Sequence, residues 1–293
     1  MSALFLTPAT SPLLPLIRFR VAADLGCADG QVLKRLVGGI GGITTLYQCD
    51  SSQAMLDLCA EGEVNGVMAH KMLVDEENLP FEKESMDLII SNLNLHWTND
   101  APSALVQIRD SLRPDGLFMG SMFGGDTLIE LRHAFTLAEM ERDGGVSPHV
   151  SPLAGIEDAG NLLGRSGFSI PAVDTDKFTV QFPSAMDMMH TLQGMGENNA
   201  IAMRRPYVSR DTMLAAAAAY EAIYGDENGV VPATFQVIYL SGWAPHESQQ
   251  QAKKRGSATV SLSEIGEVTV LGDAPPPGGP KSPTPGMDTS RGG

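Results

Sequence analysis

Apolar and polar residues in the first half of the chain follow the pattern of strands that are each followed by a helix. Short apolar runs such as VAADL and MDLIISNL predict buried strands of a parallel sheet. The segments that follow such runs, among them QVLKRLV and SALVQIRDSL, have the spacing of amphipathic helices. Strands and helices that alternate at this length predict an α/β fold with a doubly wound, mostly parallel sheet.

The second half of the chain completes this sheet with two strands that lie far apart in sequence. FSIPAVDTDKFTVQF and ATFQVIYLSGW both have the composition of strands. The segment between them, residues 183–232, is largely helical in pattern and includes the alanine-rich DTMLAAAAAYEAIYG. We therefore predict a seven-stranded sheet with a helical insertion before the last strand. Upstream of it, Thr127 and Glu130 have the spacing of a capping box for the helix LIELRHAFTLAEM.

The ends of the chain differ in composition from this region. Residues 1–20 carry Arg18 and Arg20 but no acidic residue, which weakly resembles an organelle-targeting leader. A disordered or truncated start of the chain is the alternative interpretation. Residues 21–245 form the predicted domain, residues 246–270 a C-terminal extension, and residues 271–293 a Pro/Gly-rich tail that we expect to be disordered.

Charge and cysteine content exclude several function classes. The 20 basic and 35 acidic residues give a formal net charge of −15, which disfavours nucleic acid as a partner. The three cysteines form no CxxC pair, so neither a disulfide framework nor a thiolate zinc site is indicated. Apolar runs are too short to span a bilayer, so we expect at most peripheral membrane association.

The stretch VAADLGCADG places an acid and two glycines directly after the first predicted strand. Its simplest interpretation is a plain strand-to-helix turn, but Gly26 and Gly30 also allow a ligand to approach the main chain. In an open parallel sheet, ligands bind outside the carboxyl ends of the strands. Neither the G-x-G-x-x-G of a dinucleotide site nor the G-x-x-x-x-G-K-[ST] of a P-loop is present. S-adenosylmethionine, a cationic adenosine derivative without phosphate, fits this acidic turn better than a dinucleotide or a nucleoside triphosphate does.

Further acids and amides follow the next predicted strands at the same edge. Asp50 closes the second strand, where an acid can accept both hydroxyls of a ribose. Asp75 and Glu76 follow the third strand and are placed to reach the adenine edge. The predicted cofactor-binding residues are Asp24, Gly26, Gly30, Asp50, Ser51, Asp75, Glu76, Ser91 and Asn92.

Two side chains near this edge are candidate catalytic residues. His96 follows the fourth predicted strand and Asp126 the fifth. Methyl transfer needs mainly an aligned nucleophile, so a general base is optional. A structural histidine and a helix-initiating aspartate are the alternative interpretations. None of the six histidines is followed two residues later by Asp or Glu, so the local part of a non-heme iron signature is absent and no metal site is predicted.

Several motifs of the chain together resemble those of a known family. The run LPFEKESMDLIISNLNLHWTND, with GGDTLIELR, QGMGE and DTMLAAA further on, is similar to the mitochondrial complex I assembly factor 5 family. That family belongs to the class I methyltransferases, which have a Rossmann-like fold, and is related to the malonyl-carrier-protein methyltransferases of biotin synthesis. The likeness extends from about Val21 to Gly266. One departure is Ala28, where the family usually has glycine.

The resemblance implies a protein that binds S-adenosylmethionine on the matrix side of the mitochondrial inner membrane. It also implies action on a complex I core subunit, or with other assembly factors, through hydroxylation of an arginine. Two alternatives remain open from the residues: an S-adenosylmethionine-dependent methyltransferase of a carboxylate or other small acceptor, and a non-catalytic assembly chaperone.

Overall fold

The computed structural model describes residues 18–36, 40–197, 201, 205–250 and 256. The predictions for residues 1–17, for most of the extension and for the tail lie outside the described residues. In its described part, the chain folds around one mixed sheet with helices packed on both faces.

The sheet has the strand order β3-β4-β2-β1-β5-β6-β8-β7. Strands β4, β2, β1, β5 and β6 run parallel, whereas β3, β8 and β7 are antiparallel to their neighbours. The described strands are β1 Val21–Leu25, β2 Thr45–Asp50, β3 Gly62–Val64, β4 Val67–Leu73, β5 Met86–Asn92, β6 Leu112–Phe123, β7 Ser169–Phe182 and β8 Val231–Trp243. The predicted α/β fold with a mostly parallel sheet is confirmed.

The predicted number of strands is wrong by one, because the described residues contain eight. The additional strand is β3, which pairs with β4 through a two-residue turn at Asn65 and Gly66. Both residues have positive φ, 53° and 81°, as a tight hairpin of this kind requires. The sequence VNGV therefore makes a hairpin at the edge of the sheet.

Helices connect the strands in the predicted order. They are α1 Gln31–Arg35, α2 Gln53–Leu58, α3 Ala101–Ser111, α4 Ile129–Arg142, α5 Ile156–Arg165, α6 Ala185–Met195 and α7 Arg210–Tyr224. Short 3-10 turns occupy Ile40–Gly42 and Leu95–Trp97. Helices α6 and α7 lie between β7 and β8, which confirms the helical insertion before the last strand.

The central strands are buried on both faces, which explains their continuous apolar runs. In β5, Ile89 packs into the cluster that contains Leu105 of α3 and Leu163 of α5. Its neighbour Leu88 packs into the cluster on the other face, with Leu33 of α1. Because adjacent side chains of a strand point to opposite faces, both must be apolar here.

The predicted capping box of α4 is wrong. The helix begins at Ile129, and its N-cap is Leu128 in a left-handed conformation without a side-chain cap. The hydroxyl of Thr127 instead donates to the carbonyl oxygen of Gln236 at 3.0 Å. The Glu130 carboxylate accepts hydrogen bonds from the backbone and hydroxyl of Thr234. Both side chains join the start of α4 to β8, so tertiary hydrogen bonds replace the local ones.

Candidate functional site

The predicted cofactor residues meet at the carboxyl edge of the parallel strands. Asp24 is the fourth of the five residues of β1, and Asp50 is the last residue of β2. Ser91 and Asn92 end β5, and Ser91 pairs in register with Leu25. The strand register therefore brings together residues that are up to 68 positions apart, from Asp24 to Asn92.

The turn after β1 has a left-handed backbone at three positions. Gly26, Ala28 and Gly30 have φ angles of 69°, 48° and 76°. A Cβ on Gly26 would lie 2.2 Å from Cγ of Asn94, and one on Gly30 would lie 2.6 Å from Oε1 of Gln48. Gly26 is therefore required by the packing as well as by its backbone angle, whereas Gly30 is favoured mainly by its backbone angle. Ala28 keeps its methyl group in a conformation that favours glycine.

Asp50 ties this turn to the start of α2. Its Oδ2 accepts a hydrogen bond from the backbone N–H of Ala28 at 2.9 Å, and its Oδ1 accepts one from Ser52 at 2.8 Å. An ionised carboxylate has about four lone-pair sites, so acceptor capacity for ribose hydroxyls remains. The side chain of Ser51, between Asp50 and Ser52 in the sequence, is exposed. The hydroxyl of Ser52, at the N-cap of α2, makes no capping hydrogen bond.

Asp24 is a buried acid without a hydrogen-bond partner among the described residues. Its side chain is 1% exposed, and both carboxyl oxygens lack a donor there. Burial, and secondarily the charge of Asp50, raises the pKa of Asp24 to about 8. A buried acid is costly unless it is paired, so this position favours a cationic ligand group.

The acidic loop after β4 lies beside the same turn. Asp75 is exposed, and its Oδ1 accepts a hydrogen bond from the backbone N–H of Glu77 at 2.9 Å. Burial raises the pKa of Glu76, and the charges of Asp50 and Asp75 add to this effect. A hydrogen bond from Asn94 opposes it. Asn94 thus contacts both Gly26 and Glu76, although the sequence analysis did not select it.

Ser91 and Asn92 connect this edge to a cleft on one face of the sheet. The Ser91 hydroxyl is buried without a hydrogen-bond partner in the described part of the chain, whereas Oδ1 of Asn92 accepts a hydrogen bond from Ser121 at 2.7 Å. The cleft has mainly apolar walls, with polar groups from β7 and β8. Its lining includes Leu88, Ile90, Met119, Val173, Asp174 and Tyr239.

The two candidate catalytic residues have different surroundings. Nε2 of His96 lies 3.1 Å from Oε1 of Glu197, and the ring packs against Phe123 and Trp97. Asp126 forms an ion pair with Lys177 of β7, and its backbone N–H donates to Gln236 of β8 at 3.0 Å. His96 directly follows the edge formed by β5. The partners of Asp126 lie in β7 and β8 rather than among the acids after β1 and β2.

Three buried cysteines surround the turn after β1. Sγ of Cys27 lies 3.9 Å from Sγ of Cys59, and the Cys59 thiol donates to the carbonyl oxygen of Ala28 at 3.2 Å. All three, including Cys49, are free thiols whose pKa is raised by burial. Across the described ranges, no group of three His, Cys, Asp or Glu side chains converges in a way that fits a metal ion. None of the helices in these ranges has the length and apolar character needed to cross a membrane.

Comparison with known families and folds agrees with this geometry. A family model described as a methyltransferase domain matches residues 23–120, which contain every predicted cofactor residue. A solved methyltransferase structure from Bacillus halodurans superposes with a TM-score of 0.52 at 12% identity, over 78% of this chain and 94% of that chain. The YcgJ protein of Bacillus subtilis gives 0.51 at 14% identity, over 78% and 93%. At these identities the likeness concerns the fold alone.

Comparison with curated proteins finds similarity over most of the chain. The arginine-hydroxylase NDUFAF5, mitochondrial, of Homo sapiens is 48% identical over 86% of this chain and 72% of its own length. The protein of the same name from Danio rerio is 44% identical over 86% and 77%. A malonyl-[acyl-carrier protein] O-methyltransferase of Xylella fastidiosa is 38% identical over 65% and 63%.

Proposed function

We propose that this chain, which belongs to the family of the arginine-hydroxylase NDUFAF5, binds S-adenosylmethionine and modifies an arginine of a mitochondrial protein. Family membership follows from identities of 44–48% over most of the chain, and it confirms the resemblance seen in the sequence. The observation that carries the cofactor proposal is Asp24, a buried acid without a partner among the described residues at a glycine turn.

The residues at the edge of the sheet fit S-adenosylmethionine group by group. Asp24 is placed to pair with a cationic group, which the ligand offers as an ammonium and a sulfonium. Asp50 retains acceptor capacity for the ribose hydroxyls. Asp75 and Glu76 would face the adenine, while Ser91 and Asn92 would line the methionine side. Gly26 and Gly30 would let the main chain approach the ligand, and Ser51 would lie at its rim.

When bound, the cofactor supplies an electrophilic methyl group on a sulfonium. The chain's own residues bind and orient the two reactants, which is the larger part of catalysis in such a reaction. His96 and Asp126 remain candidates for holding the acceptor side chain or its proton. His96 lies next to the cofactor edge, whereas Asp126 would act from the side of β7, where Lys177 already neutralises it.

Hydroxylation of arginine is proposed from the relatives, which are named arginine-hydroxylases. It would need molecular oxygen and a two-electron reductant as co-substrates, with one oxygen atom entering the arginine and the other leaving as water. Methyl transfer to a carboxylate or other small acceptor is the second candidate, because the methyltransferase domain model and the malonyl-[acyl-carrier protein] O-methyltransferase support it. A cofactor-binding assembly chaperone is the third.

We further propose a location on the matrix side of the mitochondrial inner membrane, with a complex I core subunit or other assembly factors as partners. The relatives are named mitochondrial, and the resemblance to the complex I assembly factor 5 family supports the rest. The net charge of −15 speaks against nucleic acid as a partner.

Calorimetric titration of the purified chain with S-adenosylmethionine tests the cofactor site. We expect saturable binding that weakens at least about tenfold in Asp50→Asn, because a neutral amide holds the backbone of Ala28 and the ribose less strongly. The matched control is Asp57→Asn, an exposed acid on α2, which should bind as the wild type does. Absence of saturable binding by the wild-type chain would contradict the proposal.

Mass spectrometry of an arginine-containing acceptor peptide then separates the candidate reactions. Hydroxylation adds one oxygen atom, and methyl transfer adds one methylene unit. Complementation of assembly-deficient cells by Asp50→Asn tests the chaperone candidate. Full complementation without cofactor binding would show that the ligand is dispensable.

A further inference from the structure

A hydrogen bond joins the loop after β5 to the helical insertion. Nε2 of His96 and Oε1 of Glu197 are 3.1 Å apart, although the residues are 101 positions apart in the chain. Helix α6 ends at Met195, and its C-cap Gly196 has a φ of 81° that turns the chain back. The backbone N–H of Glu197 then donates to the carbonyl oxygen of Leu192 at 3.0 Å. This C-terminal cap directs the Glu197 side chain toward His96.

The pair is largely shielded from water. The side chain of His96 is 5% exposed and that of Glu197 is 11% exposed. The imidazole ring centre lies 4.9 Å from that of Phe123 and 5.4 Å from that of Trp97. A hydrogen bond in such surroundings is stronger than one in water, and it holds the ring in one orientation.

The donor and acceptor roles in this pair follow from its chemistry. As a carboxylate, Glu197 only accepts, so Nε2 of His96 carries the hydrogen. Nδ1 of His96 is buried and has no hydrogen-bond partner in the described ranges of the chain. A hydrogen on Nδ1 would be a buried donor without an acceptor, because the ring is packed between Phe123 and Trp97. Of the two tautomers, the one with the hydrogen on Nε2 and a lone pair on Nδ1 is the one that fits these contacts.

We infer that Glu197 is a positioning residue for His96, which it holds with Nε2 protonated and with Nδ1 as a hydrogen-bond acceptor for the substrate. This inference rests on the proposed function, because it takes the group that donates to Nδ1 to be the arginine substrate, bound next to the cofactor. A guanidinium group has only donors, so the lone pair of Nδ1 complements an arginine side chain. Trp97 packs on the ring and is 43% exposed, so a shift of its side chain would open this ring to a substrate.

The protonation state of His96 is directly measurable. We would record two-bond hydrogen–nitrogen correlation spectra of the full chain with labelled histidine, and assign His96 by its loss in His96→Gln. The expected wild-type spectrum shows a protonated Nε2 and an unprotonated Nδ1. A spectrum with the proton on Nδ1 would overturn the inference, whether or not the chain binds S-adenosylmethionine.

Two substitutions separate positioning from a merely structural role. Glu197→Leu removes the carboxylate that orients His96, so we expect mixed tautomers of His96, a kcat lower by about tenfold or more and a higher KM for the arginine peptide, with affinity for S-adenosylmethionine nearly unchanged. Glu197→Gln retains an acceptor oxygen and should restore both the tautomer and most of kcat. Glu227→Leu, at an exposed position of the turn before β8, is the control for a lost carboxylate.

The outcomes distinguish this inference from the proposed function. An unchanged His96 tautomer in Glu197→Leu, in a chain that binds S-adenosylmethionine, would refute the positioning role alone. The expected tautomer change in a chain that does not bind the cofactor would refute the proposed function, while the pairing itself would stand. Thermal melting of each variant, within a few degrees of the wild type, shows that the fold is retained.

Discussion

At the scale of single residues, the buried carboxyl of Asp24 should govern how stability depends on pH. Its pKa rises from the ordinary value of 3.8 to about 8, first through burial and then through the charge of Asp50. Between these values the folded state binds a proton that the unfolded state has lost. The free energy of unfolding therefore falls as pH rises through this interval, by about 1.4 kcal/mol per pH unit at most.

Replacing the acid by its neutral isostere should remove this dependence. We expect Asp24→Asn without ligand to be more stable than the wild type near pH 8, and the difference to vanish toward pH 4. Urea denaturation at a series of pH values measures it. Parallel stability curves for the two proteins would contradict the assignment. The same variant should bind S-adenosylmethionine more weakly, since it cannot become an anion.

The contrast between Asp24 and Asn94 shows how far the sequence predicts the site. Asp24, Gly26, Gly30 and Asp50 could be selected because they lie at the ends of apolar runs, and the edge of a parallel sheet brings such ends together. Asn94 could not be selected, because its contacts with Gly26 and Glu76 depend on how the loop after β5 folds over the turn. Glu197 was found only through the fold, which places α6 beside that loop.

At the scale of elements, a buried carboxylate joins α4 to the segments that follow it. Glu139 is fully buried and accepts hydrogen bonds from the backbone and hydroxyl of Ser147, both at 2.6 Å. His149 lies 2.8 Å from the same carboxylate, and Arg205 lies 3.3 Å from it. Burial alone would raise the pKa of Glu139, but the hydrogen bonds from Ser147 and His149 keep it below its usual value.

Loss of this carboxylate should destabilise the fold. We expect Glu139→Gln to lower the free energy of unfolding by roughly 1–3 kcal/mol near neutral pH, because the donors of Ser147 and His149 lose a charged acceptor. The difference should shrink as pH falls below the ordinary glutamate value of 4.5, where the wild type also loses the interaction. Glu141→Gln, an exposed change on the same helix, should shift stability by less than about 0.5 kcal/mol. Equal effects at the two positions would contradict this account.

Element order was predictable, whereas the bonds between elements were not. Hydrophobic periodicity located the strands and helices, and composition identified β7 and β8 as strands although a helical insertion separates them. The capping box at Thr127 failed because both of its side chains bond β8, more than 100 positions away. The hairpin of β3 with β4 was missed although its Asn-Gly turn is a strong local signal.

At the scale of the whole molecule, acidity is the property that the sequence alone establishes, and its sign matches the proposed substrate. The formal net charge is −15, and the sheet edge adds the local cluster of Asp50, Asp75 and Glu76. A field of this sign attracts cations over distances set by the ionic strength. The relatives are named arginine-hydroxylases, which gives arginine as the residue that those proteins modify. The charge and the relatives' name are independent of each other, and both support the proposal of a basic acceptor segment.

Association with a basic acceptor peptide should therefore depend strongly on salt. We expect the association rate constant of an arginine-containing basic peptide to fall by about tenfold or more when salt rises from low to several hundred millimolar, because screening removes the long-range attraction. The dissociation rate should change much less, since it reflects short-range contacts. Stopped-flow fluorescence measures both rates, and the control is a peptide of the same length with its other basic residues replaced by glutamine. An association rate that is insensitive to salt for both peptides would show that the acidic surface plays no part in substrate capture, and would leave recognition to the contacts around His96.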